Sequence, residues 1–236
     1  MTENSPQQNR AASPDTVPAA LATACSALPQ TMLAMLLLSA VSLSSLMPVA
    51  WGWENGVIEN SEVLVLALGA AMAVTASCRA ALQQRGRLGA ILAPVWVILI
   101  GRELSWGAAC LPPVGFTDGE PVYSSALLWY KPLVGPVAVA LLLGCAIQAW
   151  RHRLPAACWR ALSNDRSMLL PLLIGGLAAI GSTFSEGKLG VTLPFSHGRA
   201  EVLEELLELI AYCALVRAQY LLLKNIAAFD ADLLHA

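Results

Sequence analysis

The chain has 236 residues, of which 57% are hydrophobic and 13% charged, with a formal net charge of −2. Soluble domains carry about 25% charged residues, and surface-to-volume scaling leaves a water-soluble protein of this size nowhere to hide so much apolar side chain. The composition excludes an ordinary soluble globule, and the near-balanced charge excludes a nucleic-acid footprint. An integral membrane protein, with the lipid bilayer as its partner, is expected.

Residues 1–29 are rich in Ser, Pro, Gln, Asn and Ala, with Arg10 their only base. That composition buries little and reads as a disordered cytoplasmic tail. Cys25, in Ala-Thr-Ala-Cys, superficially matches a lipoprotein cleavage site, but no apolar run precedes it. Six apolar stretches then follow at roughly 31–51, 61–79, 88–107, 131–150, 167–184 and 200–222, each near the ~20 residues that cross ~30 Å of hydrocarbon. The fifth is the shortest and either crosses or re-enters. The expected fold is therefore all-α, a polytopic bundle of about six transmembrane helices. It forms one domain over 30–224, with a short cytoplasmic tail at 225–236.

Orientation follows from the bases in the short connections. Arg79, Arg85 and Arg87 join the second and third spans, and Arg151, Arg153, Arg160 and Arg166 join the fourth and fifth. The opposite connections hold only Lys131, Lys188 and Arg199. Both termini are expected in the cytoplasm of a bacterial cell, with the spans in the inner membrane. Trp51, Trp53, Trp106, Trp129 and Tyr130 then mark the outer interface and Trp150 the inner one. Five cysteines (Cys25, Cys78, Cys145, Cys158, Cys213) fall outside any extracytoplasmic loop, so no disulfide framework is read. Gly69 with Ala73, and Gly175 with Ala179, have the small-xxx-small spacing of close helix approach; packing within the molecule is the expected use.

Eleven of the sixteen acids, but only four of the fourteen bases, fall on the outward side. The positive-inside rule does not demand that excess, because acids contribute little to topology. Several of these acids also lie within the spans. Arg87 to Arg102 is about 22 Å of helix, Arg79 back to Glu62 about 25 Å, and Lys224 back to Glu208 about 24 Å. Three helices thus bring Glu62, Glu103 and Glu208 to a similar depth. Glu201, Glu205 and Glu208 share one helical face. The helix dipole favours acids in a first turn, which accounts for Glu201, Glu204 and Glu205 but not for Glu208, two turns in. An intramembrane carboxylate normally faces a partner or a wet cavity, and Arg102 is the base deep enough to be a structural counter-ion.

Glu62, Glu103, Glu201, Glu205 and Glu208, with His197 near the mouth, form a candidate metal set for a hard or first-row divalent ion. Neither a Glu-x-x-His pair nor a second outward histidine accompanies them, which argues against a di-iron bundle. No catalytic residue or organic cofactor is assigned. Ser185-Glu186-Gly187-Lys188 has the Ser-x-x-Lys spacing of some acyl-transferring enzymes, but it sits in a Gly-containing connection and reads as a polar loop. His152 and His235 read as solvated.

Trp53-Glu54-Asn55-Gly56, followed by Glu59 and Glu62, then Arg102-Glu103-Leu104-Ser105-Trp106-Gly107, then Glu204-Glu205-x-x-Glu208, together resemble a group of uncharacterised bacterial multi-pass inner-membrane proteins. Those carry a Trp-x-x-Gly-x-x-Glu-like stretch before one span and a Glu-x-Ser-Trp-Gly signature near another. The resemblance covers about three spans and implies a shared membrane architecture without an activity. This chain has Arg102 where a second acid is expected and Ala108 where Gln often stands.

Three functions remain open on the sequence. The first is an acidic, periplasm-facing intramembrane site that binds a cation or proton in transport, sensing or accessory assembly. The second is a membrane-embedded metal-dependent hydrolase, and the third a scaffold whose buried charges only set helix packing.

Overall fold

A computed structural model describes residues 29–80, 83–117, 119–187 and 196–234, without the side chains of His197 and of 229–234. The tail expected over 1–29 (save Pro29), Lys188, His235 and the side chain of His197 therefore lie outside the described residues. The described chain is predominantly helical. In order it forms α1 (Gln30–Leu46), α2 (Val57–Arg79), α3 (Gln84–Glu103), β1 (Gly115–Thr117), β2 (Glu120–Val122), α4 (Lys131–Arg151), α5 (Leu154–Asn164), α6 (Leu169–Ser185) and α7 (His197–Leu234). Four segments are long and apolar enough to cross a membrane: Val57–Arg79, Lys131–Arg151, Arg166–Ser185 and Gly198–Ala228. They are compatible with insertion in a bilayer.

α7 is the axis of the bundle. It packs against α1, α2, α3, α5 and α6, while the pairs α2–α3 and α6–α7 make the most extensive contacts. One apolar cluster joins α1 and α6 to α7 through Leu33, Ile174, Ala178, Leu207 and Ile210. Another joins α2 and α3 to α7 through Leu66, Met72, Trp96 and Val216. Gly69 lets the Trp96 indole lie directly on α2, since a Cβ there would meet the ring at 2.7 Å. Gln219 locks that contact: it donates to the Gly69 carbonyl at 2.9 Å and accepts from the Trp96 indole N–H. The Gly69 and Gly175 positions thus face other helices of this chain.

The helices depart from the expected spans at their ends. α1 stops at Leu46 rather than 51, because Pro48 cannot continue it. Arg199 of α7 then donates to the orphan carbonyls of Ser44 and Met47. α3 stops at Glu103 rather than 107, because Ser105, Trp106 and Gly107 take φ of 45°, 58° and 100°. α7 runs about 57 Å at 1.5 Å per residue, well past 222 and longer than the hydrocarbon it would cross. Its extension packs Leu223 and Ile226 against Leu154 and Ala161 of α5. α5 itself lies in what the sequence reads as a bare arginine-bearing loop, and buries Leu154, Ala157 and Ala161 along one face. The short β1–β2 hairpin, also unexpected, pairs Gly115 with Val122 and Thr117 with Glu120.

Charge divides the bundle into two ends. Arg79, Arg87, Arg151 and Arg153 lie at one end, and Glu54, Glu62, Glu103 and Glu208 at the other.

Candidate functional site

At the acidic end, α2, α3 and α7 converge. Each contributes one carboxylate, and oxygens of Glu62, Glu103 and Glu208 all lie within 4.8 Å of one another. Glu62 stands one turn inside α2 and is wholly enclosed, at 0% exposure. Neither of its carboxylate oxygens has a hydrogen-bond partner. An ionised carboxylate has about four lone-pair sites and no donor, so a buried one with no partner at all calls for an explanation.

Its two neighbours are anchored. Arg102 Nη2 donates to both oxygens of Glu208 at 2.8 Å, and Ser182 of α6 gives a third bond at 3.0 Å. Tyr212, one turn further along α7, donates to Glu103 at 2.7 Å and lies 3.3 Å from both Glu208 and Arg102. Arg102 is 3.7 Å from Glu103 and 54% exposed, so its charge is shared with the surroundings rather than sealed among the acids. One half-exposed guanidinium therefore faces three carboxylates. If all three are ionised, the group retains net negative charge.

The other sequence-derived candidates flank this centre, with Glu205 near enough to act electrostatically on Glu62. Glu205 is half-buried with one oxygen enclosed and unpartnered, a turn above Glu208 on α7. Glu201 stands a further turn out, half-buried. Neither belongs to the three-carboxylate group. The side chain of His197 lies outside the described residues. Ser185 of the Ser-x-x-Lys match is buried and donates to the Gly181 carbonyl of its own helix. Sequence reasoning did not single out Ser182 or Tyr212. Tyr212 carried a signal, being at i+4 from Glu208 and hence on the same helical face.

A cap of polar contacts covers the acidic end. Glu54 accepts from Ser105 Oγ at 2.9 Å and from the Tyr123 backbone N–H at 3.1 Å. Glu59, buried one turn before Glu62, accepts from the Asn55 backbone N–H. Tyr130 donates to the Trp106 carbonyl at 2.7 Å, and the Trp106 ring folds back on Gly101, where a Cβ would meet it at 2.7 Å. These contacts hold Asn55, Ser105 and Trp106, three non-glycine residues, at positive φ. Such conformations persist only where surroundings over-determine them, and they concentrate at functional sites. The Ser-Trp-Gly element is thus the turn that ends α3 immediately beyond Glu103.

No family model, curated protein or solved structure matches the chain.

Proposed function

We propose that this is a six-helix inner-membrane protein whose carboxylates Glu62, Glu103 and Glu208 form an enclosed intramembrane cation site on the periplasm-facing side. The observation that carries the reading is Glu62: fully enclosed, unpartnered at both oxygens, and beside two further carboxylates. The group is all oxygen, with the Tyr212 and Ser182 hydroxyls adjoining it. Oxygen-only donor sets suit hard divalent ions such as Mg²⁺, Ca²⁺ or Mn²⁺. Arg102 then acts as the counter-ion that holds Glu208 in place.

Six spans are supported by adding α1 and α3 to the four long apolar helices. α1 is apolar over 17 residues, about 26 Å. α3 confines its charges to Arg85, Arg87, Arg102 and Glu103 and is apolar from Leu88 to Gly101. α5 would lie along the cytoplasmic interface, and the arginine-bearing connections put both termini on that side.

The test is ion-dependent stabilisation of the detergent-solubilised protein after treatment with a chelator. Mg²⁺, Ca²⁺, Mn²⁺ or Zn²⁺ should raise the unfolding temperature of wild type. Glu208→Gln, which keeps shape and removes charge, should abolish the rise. A wild type unmoved by all four ions, or a Glu208→Gln variant stabilised equally, overturns the cation site.

A further inference from the structure

The basic end of the bundle holds a second site of different chemistry. α2, α3 and α4 line an open groove of about 760 Å³, within the ~300–1,000 Å³ usual for ligand sites. Ile91, Val137 and Leu141 give it apolar walls, and its polar side chains include Arg87, Gln148 and His152. Arg87 stands in the first turn of α3 and His152 directly follows the last residue of α4, so both mark the same end of the cavity. Neither side chain makes a hydrogen bond or ion pair among the described residues.

The outer wall is unusual. α4 buries no residue along its 21, although it is among the most apolar helices of the chain. Gly144, on the cavity face of α4, has open space where a Cβ would stand, with nothing within 4 Å. Cys145 ties α4 to α3 by a long hydrogen bond to the Ile91 carbonyl, at 3.5 Å. A helix so apolar and so little packed leaves room for an apolar chain beside it rather than for water.

We propose that this groove binds an anionic phospholipid. The acyl chain would lie along Ile91, Val137 and Leu141, and the headgroup phosphate would meet Arg87, His152 and the Gln148 amide. Charge complementarity fixes the class: basic pockets between spans at the cytoplasmic side take anionic headgroups. The N-terminal end of the α3 dipole adds to the attraction, while the final carbonyls of α4 oppose it and make Arg87 the main anchor. The site shares no residue with the carboxylate group, so it stands whether or not that group binds a cation.

The test uses the full chain in nanodiscs of equal phosphatidylglycerol and phosphatidylcholine. The lipid retained on transfer to mild detergent is read by native mass spectrometry. Wild type should retain phosphatidylglycerol about fivefold over phosphatidylcholine, the preference one arginine near the surface supplies. Arg87→Gln with His152→Gln should erase that preference. Gly144→Leu, which fills the groove from the outer helix, should lower retention of both lipids. Equal retention of the two lipids by wild type overturns the proposal, as does a preference unchanged by Arg87→Gln with His152→Gln or a retention unchanged by Gly144→Leu. A lipid-free dimer in sedimentation, with the groove covered by a second copy of the chain, also overturns it.

Discussion

Replacing Glu62 by glutamine should stabilise the protein in the absence of divalent ions, which is unusual for a change at a fully enclosed position. Two carboxylates 4.8 Å apart repel by about 3.5 kcal/mol at an effective dielectric near 20. Glu62 faces two such neighbours, so removing its charge relieves up to about 7 kcal/mol. A proton or buffer cation entering the group already relieves part of this, which makes about 3.5 kcal/mol, the value of one pair, the expected gain. Little is lost in exchange: neither oxygen of Glu62 accepts a hydrogen bond, and any bond its protonated form shares with Glu103 can be donated by the amide instead. The new amide gains by donating to the oxygens of Glu103 or Glu208, which a carboxylate cannot do. The assay is thermal or denaturant unfolding of both proteins in detergent with excess chelator, repeated with a divalent ion. The variant should unfold later than wild type in chelator and should fail to respond to the ion. A variant that unfolds earlier in chelator would mean that the Glu62 charge is satisfied in the folded protein, and the reasoning fails.

Reporter fusions at Val57 and Gly119 should read as periplasmic and those at Gln84, Cys158 and Leu234 as cytoplasmic; a periplasmic signal at Cys158 sinks the six-span arrangement. Arg102→Leu strips Glu208 of its two 2.8 Å contacts and should cost about 1–2 kcal/mol in unfolding measurements, less than a sealed pair because Arg102 is 54% exposed. Glu208→Gln added to Arg102→Leu should recover part of that loss, and a silent Arg102→Leu would detach the guanidinium from the site. Asp165 precedes α6 and accepts from the Ser167 backbone N–H and hydroxyl, which hold its carboxyl below the ordinary 3.8. Its contribution to stability should be complete above that ordinary value and vanish as pH falls through the lowered folded one. The unfolding-temperature gap between wild type and Asp165→Asn, clear at about pH 6, should therefore close in strong acid; a constant gap refutes the linkage.

What the sequence revealed, and what it hid, follows from the range of the forces involved. Hydropathy is local, so the apolar runs were legible. Depth was legible too: counting 1.5 Å per residue from Arg79, Arg87 and Lys224 sets Glu62, Glu103 and Glu208 near one level, and the structure has their oxygens within 4.8 Å. Rotation about each helix was not legible. Glu201, Glu205 and Glu208 are all half-buried on α7, but it is Glu208 whose oxygens come within 4.8 Å of both Glu62 and Glu103. The ends of α3 and α7 were hidden for opposite reasons. At Ser105-Trp106 two residues that rarely take positive φ are forced there by Glu54 and Tyr130, distant in sequence. Past Leu222 the hydropathy falls, yet the helix persists because Leu223 and Ile226 rest on α5. α5 had a readable pattern, with Leu154, Ala157 and Ala161 at helical spacing, masked by its flanking arginines. The hairpin also had one, Asp118-Gly119 between extended pairs.

The two proposed sites make opposite mechanical demands, and the bundle is built unevenly in a way that suits both. Carboxylates pressed together must be held apart from water and at fixed spacing, which requires rigid walls. α2, α3 and α7 supply them: the Trp96 indole lies on Gly69, Gln219 clamps both, and the Gly89 position faces the Ala73 carbonyl with no room for a side chain. A lipid groove needs a wall that can yield to chains of different length, and α4, with no buried residue, is that wall. α3 belongs to both. It carries Arg87 at one end and Arg102 with Glu103 at the other, some 22 Å apart. A headgroup that draws on the first turn of α3 therefore acts on the same helix that positions Glu103, across Pro94 at its middle. Because Trp96 and Gln219 tie that element to α2 and α7 at mid-height, a tilt imposed at the basic end would reach the carboxylates as a change in spacing of the opposite sense. Measuring the divalent response in phosphatidylglycerol and in phosphatidylcholine nanodiscs would read that coupling directly: a response that is the same in both lipids would show that the mid-height clamp isolates one site from the other.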